Sequence, residues 1–166
     1  MKKLFVLTVL FFMSAVNLFA DAERLFVIER SKNANIVCYD ANVINGAINK
    51  EKPIDAYWKL YAKKNGEREE LSAFDKKAYG YKAAYNEQNK NFDFVLKAVK
   101  EKPMTVNMYE NKAKAVIKIN NVDCFLEKVY IESKDGAFGI PKVSYYELFG
   151  KEVATGKDQK QHIDVK

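Results

Sequence analysis

The sequence is poor in the residues on which most catalytic and metal sites depend. Its 166 residues include one histidine, His162, and two cysteines, Cys38 and Cys124. A single histidine near the C-terminus cannot supply a multi-histidine zinc site and gives a histidine-based catalytic triad no support. The chain also has no G-x-S-x-G elbow, no phosphate-binding glycine loop and no C-x-x-C pair. We therefore expect no enzyme, no bound metal and no cofactor.

The two cysteines leave two interpretations open. A disulfide between Cys38 and Cys124 would close a loop of about 85 residues and stabilise the fold by roughly 4 kcal/mol. Alternatively, both are buried thiols that pack as small apolar side chains, since Val37, Tyr39 and Phe125 flank them. Two cysteines carry no framework pattern that would decide between these alternatives.

Long hydrophobic runs are absent except at the N-terminus, where Leu4–Phe19 follows two lysines. This run ends at the sequence Ala20-Asp21-Ala22, which has the A-x-A pattern of a signal-peptide cleavage site. An uncleaved membrane anchor is the alternative, but the run is short for a membrane span. We predict cleavage after Ala20 or Ala22. The protein would then be exported, periplasmic or secreted, with no membrane span in its mature form.

The remaining chain has the length of one domain. We assign residues 1–22 to the secretory signal peptide and residues 23–166 to a single domain with a polar C-terminal tail. The formal net charge is +6, and the lysines are scattered along the chain rather than clustered. Such a surface attracts anionic material weakly, so we expect no specific nucleic-acid site.

Alternation of apolar and polar residues dominates this domain. It is clearest in six segments, 56–63, 92–99, 104–108, 113–119, 122–131 and 143–149. Short turns such as Asn45-Gly46 and Asn120-Asn121 separate several of them, which favours antiparallel hairpins. We predict an all-β fold, an antiparallel barrel-like domain of about 8–9 strands, with a β-sandwich as the alternative.

One segment has helical spacing instead. Glu67–Ala78 places Leu71, Phe74 and Ala78 on one helical face, among good helix formers. We predict one short helix here, ended by Gly80.

A hairpin over Leu25–Tyr39 is expected to begin the sheet, and its tip is rich in hydrogen-bonding side chains. These tip residues are Arg30, Ser31, Lys32, Asn33 and Asn35. The cluster can bind an anionic or hydroxyl-rich ligand through the arginine and the amides. Alternatively, the asparagines fix a tight loop and the arginine pairs with a carboxylate, which is the interpretation that we favour.

The segment around Trp58 predicts a second candidate surface. Trp58 lies in phase with Leu60, so both are expected inside, with the indole N–H bonded to a polar group. The opposite face would then carry alternating aromatic and basic residues: Tyr57, Lys59, Tyr61 and Lys63. Such a face either binds a polymer by stacking and charge or is an ordinary solvated strand surface.

Two glutamates break the alternation of the last strands. Glu127 shares its phase with Phe125 and Val129, and Glu147 shares its phase with Tyr145. Without a β-bulge both carboxylates face the apolar side, where they need a partner or a ligand. With a bulge they face solvent, and both alternatives remain open at this stage.

The order of several motifs resembles a known family. The run FVIERSKNANIVCYDANV, the elements PIDAYWKLYA (Pro53–Ala62) and AYGY (Ala78–Tyr81), and the closing VSYYELFGKEVATGK (Val143–Lys157) are similar to the domain-of-unknown-function family 4833. The resemblance covers nearly all of the mature chain. It implies one exported bacterial domain in the cell envelope, and it implies no catalytic residues because none are assigned to the family.

We expect a function in binding. The leading hypothesis is a barrel whose mouth or interior takes a small amphipathic molecule, with Glu127, Glu147, Trp58 and the hairpin-tip residues as candidate ligand contacts. The alternative is an envelope interaction protein that binds a protein partner or an anionic cell-wall polymer through the Tyr57–Lys63 face. A third, weaker hypothesis is a hydrolase that uses Glu127 and Glu147, which requires carboxyl groups about 5–9.5 Å apart.

Overall fold

The computed structural model describes residues 21–135 and 141–165, without the side chains of Asp21, Asp135 and Pro141. The predicted signal peptide lies outside the described residues up to position 20. The described chain contains twelve strands and one short helix. In chain order these are β1 (Asp21–Arg30), β2 (Asn33–Ile44), β3 (Ala47–Ile48), β4 (Ile54–Leu60), β5 (Glu67–Glu70), α1 (Asp75–Ala78), β6 (Tyr81–Asn86), β7 (Asn91–Leu96), β8 (Met104–Tyr109), β9 (Lys112–Ile119), β10 (Val122–Asp135), β11 (Pro141–Glu152) and β12 (Asp158–Asp164).

The strands form one curled sheet. Nine of them follow the order β5-β4-β2-β1-β10-β9-β8-β7-β6, while β3 pairs with β2 and the β11–β12 hairpin pairs with β10. The predicted barrel-like all-β fold is confirmed, in the form of a half-barrel. One pairing differs from the antiparallel prediction, because β1 runs parallel to β10 from Val27 to Arg30.

Strand β10 connects the two halves of the sheet. Its first residues pair with β9, its middle residues pair with β1, and β11 runs along most of its length. Because β11 occupies one edge throughout, β9 and β1 share the other edge in succession. This arrangement is a long-range pairing that local sequence does not encode.

The interior of the half-barrel is packed with aromatic and aliphatic side chains. Phe26 stacks on Tyr39 with ring centroids 4.5 Å apart, and the edge of Phe94 meets both rings at 6.1 and 6.3 Å. All three residues are buried. The middle of the sheet's concave side is therefore core and leaves no room for a ligand.

The predicted helix over Glu67–Ala78 is mostly wrong. Glu67–Glu70 forms β5 and pairs with Tyr57–Leu60, and only Asp75–Ala78 is helical. Leu71 is buried while Phe74 is 64% exposed, so the expected helical face does not exist. The open edge of β4 recruits the segment as a strand, and that tertiary pairing overrides a weak helical propensity.

The predicted turns and the thiol interpretation of the cysteines agree with the structure, unlike the predicted helix. Asn45 and Gly46 have φ of 53° and 75°, and Asn120 and Asn121 have φ of 50° and 66°, as tight hairpin turns require. Both cysteines are free and buried, which confirms the thiol interpretation. Cys124 lies in the main core, whereas Cys38 alternates with core residues and so faces the other side of the sheet.

Candidate functional site

The polar tip of the β1–β2 hairpin is held by its own hydrogen bonds. The Asn33 side-chain oxygen accepts bonds from the Asn35 backbone N–H and the Arg30 guanidinium, both at 3.1 Å. Asn35 in turn accepts a bond from the Ala62 backbone N–H at 2.9 Å. The Ser31 hydroxyl accepts a bond from the Ser133 N–H, which anchors the tip to β10, and Lys32 is exposed. The structural role predicted for the two asparagines agrees with these contacts.

Arg30 finds aromatic partners rather than the predicted carboxylate. Its guanidinium lies over the Trp58 ring at 4.5 Å and over the Tyr79 ring at 5.8 Å, and it donates to the Tyr79 hydroxyl at 3.3 Å. Its Nε is buried and has no hydrogen-bond partner within the described residues. Cation–π contacts of this kind contribute about 0.5–2 kcal/mol when partly desolvated. The structure thus brings together two sequence candidates, Arg30 and Trp58.

A segment over Leu71–Gly80 covers the opening between the two ends of the sheet. It connects β5 to β6, which are the first and last strands of the sheet order, so it must span the gap between them. Leu71 is buried, and the Tyr79 carbonyl accepts a 2.6 Å bond from the buried Tyr39 hydroxyl. We call this covered opening, with Arg30 and Trp58 beneath it, the capped mouth.

Asp75 fixes the conformation of the cap through Ser72. It accepts bonds from the Ser72 hydroxyl at 2.6 Å and from the Ser72 N–H at 3.0 Å, and its N–H returns a bond to the Ser72 hydroxyl. Burial alone would raise the pKa of Asp75, but the bonds from Ser72 and from the Trp58 side chain outweigh it and lower that pKa. Trp58 itself is only 6% exposed, as predicted.

A second polar cluster was missed by the sequence analysis. Asp40 is 4% exposed, and it accepts a bond from the Arg24 guanidinium and a 2.6 Å bond from the Tyr57 hydroxyl. Arg68 lies over the Tyr57 ring at 3.9 Å and covers it from outside. The signal available in the sequence was an aspartate placed within the otherwise apolar run Val37–Ala41. Because every partner in the cluster is satisfied, we assign it a structural role.

The predicted aromatic and basic face on β4 does not form. Strand β4 ends at Leu60, so Tyr61 and Lys63 lie in the following turn. Tyr57 is 6% exposed and is buried in the Asp40 cluster, while Lys59 is half-buried. The four residues therefore present no continuous surface.

Glu127 and Glu147 both point away from the core, for different reasons. A register shift between Leu126 and Lys128 makes Glu127 an exposed bulge residue. On β11 the buried residues are Tyr146 and Leu148, so Glu147 lies on the outer face.

That outer face carries an ion-pair cluster with aromatic neighbours. Glu147 contacts the Lys160 amine at 2.9 Å and His162 at 3.3 Å, and hydrogen bonds from these two groups lower its pKa. His162 also contacts Asp164 at 3.3 Å, and its ring lies 4.4 Å from that of Tyr145. Within the described ranges, no group of three or more His, Cys, Asp or Glu residues is placed to hold a metal ion.

A cleft that the sequence did not predict lies where β8 begins late. Met104, its first residue, pairs with Phe94, while β7 continues to Leu96 and β9 continues to Ile119. The resulting gap has a volume of about 500 Å³, and we call it the notch. Its lining residues are Asp93, Phe94, Val95, Glu101, Lys102, Pro103, Met104, Thr105, Val116, Ile117, Lys118, Asn121 and Asp123.

The notch has an apolar floor and a predominantly acidic rim. Phe94, Met104 and Ile117 are buried side chains of the core that also line the cleft. On the rim, Asp123 pairs with Lys118 at 2.9 Å. Lys102 donates to a glutamine, Gln161, rather than to a carboxylate.

Two further carboxylates of the rim have neutral partners. Asp93 accepts a bond from the Asn86 amide at 3.3 Å, and Glu101 accepts one from the Tyr146 hydroxyl at 2.9 Å. Burial and the Glu101 carboxylate raise the pKa of Tyr146, so its hydroxyl remains a donor at neutral pH. Among the described side chains, neither carboxylate has a cation within ion-pair distance.

These features define a class: an all-β domain with a packed interior and open clefts at the margins of one curled sheet. The chain belongs to the family described as Domain of unknown function (DUF4833), whose model matches residues 26–162. This agrees with the resemblance seen in the sequence. No curated protein and no solved structure matches the chain. Among the described residues, no helix is long and apolar enough to cross a membrane.

Proposed function

We propose that this protein is an exported binding domain whose notch takes a small amphipathic molecule carrying a cationic group. The observation that carries the proposal is the cleft of about 500 Å³ with an apolar floor. Ligand clefts typically measure about 300–1,000 Å³ and combine an apolar lining with a few polar groups. The packed interior directs the ligand to this margin rather than to the inside of the half-barrel.

The charge expected on the ligand follows from the rim. Three carboxylates line the notch against two lysines, and Asp93 and Glu101 have no cationic partner in the described chain. An amine that enters would pair with them while its apolar part lies on Val95 and Val116, the half-buried apolar residues of the lining. Binding without catalysis remains our proposal for this site.

The experiment compares two probes of similar shape and opposite charge, tryptamine and indolepropionate, by calorimetric titration. We expect tryptamine to bind about tenfold or more tightly than indolepropionate, since one charge-assisted contact is worth about 1.4 kcal/mol or more. Thr105→Trp fills the notch and should abolish binding, whereas Ala34→Trp, at an exposed position of β2 outside the notch lining, should leave it unchanged.

A second pair of variants preserves the volume of the cleft. Asp93→Asn with Glu101→Gln should weaken tryptamine binding while the fold, followed by circular dichroism, stays intact. Equal binding of the two probes, or full binding by Thr105→Trp, would refute the proposal. In native mass spectrometry of freshly purified protein, a co-purified ligand should be absent from Thr105→Trp.

A second candidate function, contact with an envelope partner, is favoured by one observation. On the outer face of β10–β12, Phe149 lies between the amines of Lys128 at 4.7 Å and Lys160 at 5.1 Å. Glu29 and Glu147 pair with these amines at 3.1 and 2.9 Å, so an anionic cell-wall polymer would bind here by replacing the two carboxylates. Retention on purified sacculi should survive moderate salt and be lost in Lys128→Glu with Lys160→Glu. Release of the native chain by moderate salt alone would indicate only diffuse charge attraction.

Export is the remaining part of the proposal. Strand β1 includes Asp21 and Ala22, which pair with Val43 and Asn42, so cleavage after Ala20 would leave the strand whole. N-terminal sequencing of the mature protein should find a start at Asp21 or at Glu23. A start at Met1 would contradict export by a cleaved signal.

A further inference from the structure

A second cleft lies along the seam where the two ends of the sheet face each other. Strand β5 pairs with β4 only from Tyr57 to Leu60, so within the described chain Ile54–Ala56 has no strand neighbour on that side. Strand β6 pairs with β7 alone among the described strands. A gap of about 300 Å³ remains between them, and we call it the seam cleft.

The inner wall of the seam cleft is apolar and fixed. Ile54 and Leu71 are buried at 1% and 4% exposure, and Ala56 lies between them on the wall. The Tyr81 hydroxyl donates to the Ile54 carbonyl at 2.5 Å and so joins the two sides of the seam. A short apolar group can be buried here without any rearrangement of the sheet.

The rim of the cleft carries three lysines: Lys52, Lys76 and Lys97. Its two carboxylates, Asp55 and Glu70, are both held by the Arg68 guanidinium at 2.7 Å.

Two of the lysines remain free of carboxylate partners. Lys52 reaches Asp55 at 3.5 Å, but no carboxylate of the described chain lies within ion-pair distance of Lys76 or Lys97. The Lys97 amine instead donates to the Lys76 backbone carbonyl at 3.2 Å, which places it beside the cap. The cleft therefore has an excess of positive charge next to an apolar wall.

We propose that the seam cleft is a second binding site, for a small organic anion whose carboxylate or phosphate pairs with Lys76 and Lys97. Its short apolar part would lie on Leu71 and Ile54. The two clefts of the protein would then select ligands of opposite charge. A volume near the lower limit for ligand clefts fits a small molecule rather than a polymer.

The test uses octanoate and octyl phosphate as anionic probes, with octanol and octylamine as neutral and cationic controls. Titrations followed by backbone amide chemical shifts should move Leu71, Gly80 and Tyr81 with both anions. The ratio of the dissociation constants of octanoate and octyl phosphate then shows whether the site prefers a carboxylate or a phosphate. Octanol and octylamine should bind about tenfold more weakly than the better anion, as expected for one lost charge-assisted contact.

Variants separate the role of charge from the role of the fold. Lys76→Glu should weaken anion binding at least about tenfold, since it reverses an exposed charge and leaves the apolar wall intact. Lys97→Gln retains a hydrogen-bond donor for the Lys76 carbonyl and should weaken anion binding less than Lys76→Glu does. Lys63→Glu, in the exposed turn after β4 and outside both clefts, is the matched charge-reversal control and should leave anion binding unchanged.

Three results would overturn this proposal: octanol binding as tightly as octanoate, undiminished binding by Lys76→Glu, or anion-induced shifts confined to the notch. Loss of tryptamine binding in Thr105→Trp bears only on the notch. The proposals for the two clefts are therefore tested independently.

Discussion

The capped mouth and the notch are both gaps in the same sheet, and they are closed to different extents. At the capped mouth the sheet leaves an opening between its end strands, and Leu71–Gly80 crosses it. At the notch the gap arises because β8 begins later than its neighbours, and no segment within the described ranges covers the cleft. The first gap is filled beneath the cap and stays open only at the seam cleft, whereas the second is open to solvent along the whole notch.

The contacts in the two regions differ in the same way. Beneath the cap, Arg30, Trp58 and Tyr79 contact one another, so that each side chain depends on the others. Around the notch, the rim side chains bond to residues beside the cleft, and no side chain of the described chain fills it. Substitutions at the capped mouth should therefore change stability, and substitutions at the notch should change binding.

The largest expected effect is that of Trp58→Ala. Removing a buried indole leaves a cavity beneath the cap and should lower the free energy of unfolding by about 3–5 kcal/mol. Urea titration followed by circular dichroism measures this loss. Phe74→Ala, on the same segment but 64% exposed, is the control and should cost little. Similar costs for the two variants would contradict the packing role of the cap.

Arg30→Met should lower the free energy of unfolding by about 1 kcal/mol, which is less than the loss expected for Trp58→Ala. The substitution removes the cation over Trp58 and two hydrogen bonds, which destabilises the fold. It also removes the buried Nε, which has no partner among the described residues, and this partly offsets the loss. Because the cation lies 4.5 Å from the ring, Trp58 fluorescence emission should shift as well. Lys63→Met, in the turn after β4, should leave both stability and emission unchanged.

Acid should weaken the cap through Asp75. Its pKa is lowered in the folded state, so its contribution to stability is complete above the unfolded pKa of about 4. That contribution is lost as the pH falls through the still lower folded pKa. Asp75→Asn should therefore be less stable than the native chain at about pH 6, and the two should converge at about pH 2. Parallel urea midpoints across this range would exclude the effect.

The smallest expected effect is that of a rim substitution in the notch on the free energy of unfolding. Asp93→Asn should change the free energy of unfolding by no more than about 0.5 kcal/mol, as is usual for exposed positions. Chemical denaturation of this variant beside Trp58→Ala tests the comparison directly. A loss above about 2 kcal/mol would mean that the notch is part of the core and not a binding cleft.

The sequence alone determined the features that depend on near neighbours. The two-residue alternation placed Trp58 inside, and Asn-Gly and Asn-Asn pairs marked the tight turns, because both signals act over a few residues. The spacing of Asn33 and Asn35 likewise predicted how the hairpin tip is fixed. The all-β class followed from these same local patterns, and the family followed from the resemblance of several motifs in their order along the chain.

Only the tertiary structure decided the features that depend on distant partners. One bulge beside Lys128 turned Glu127 to solvent, and the edge of β4 made a strand of Glu67–Glu70, which local propensity favoured as a helix. The clefts arise from the relative lengths of β7, β8 and β9 and from the meeting of β4 with β6. The free energy of a strand is set by the strands beside it, and in this protein those neighbours are distant in the chain.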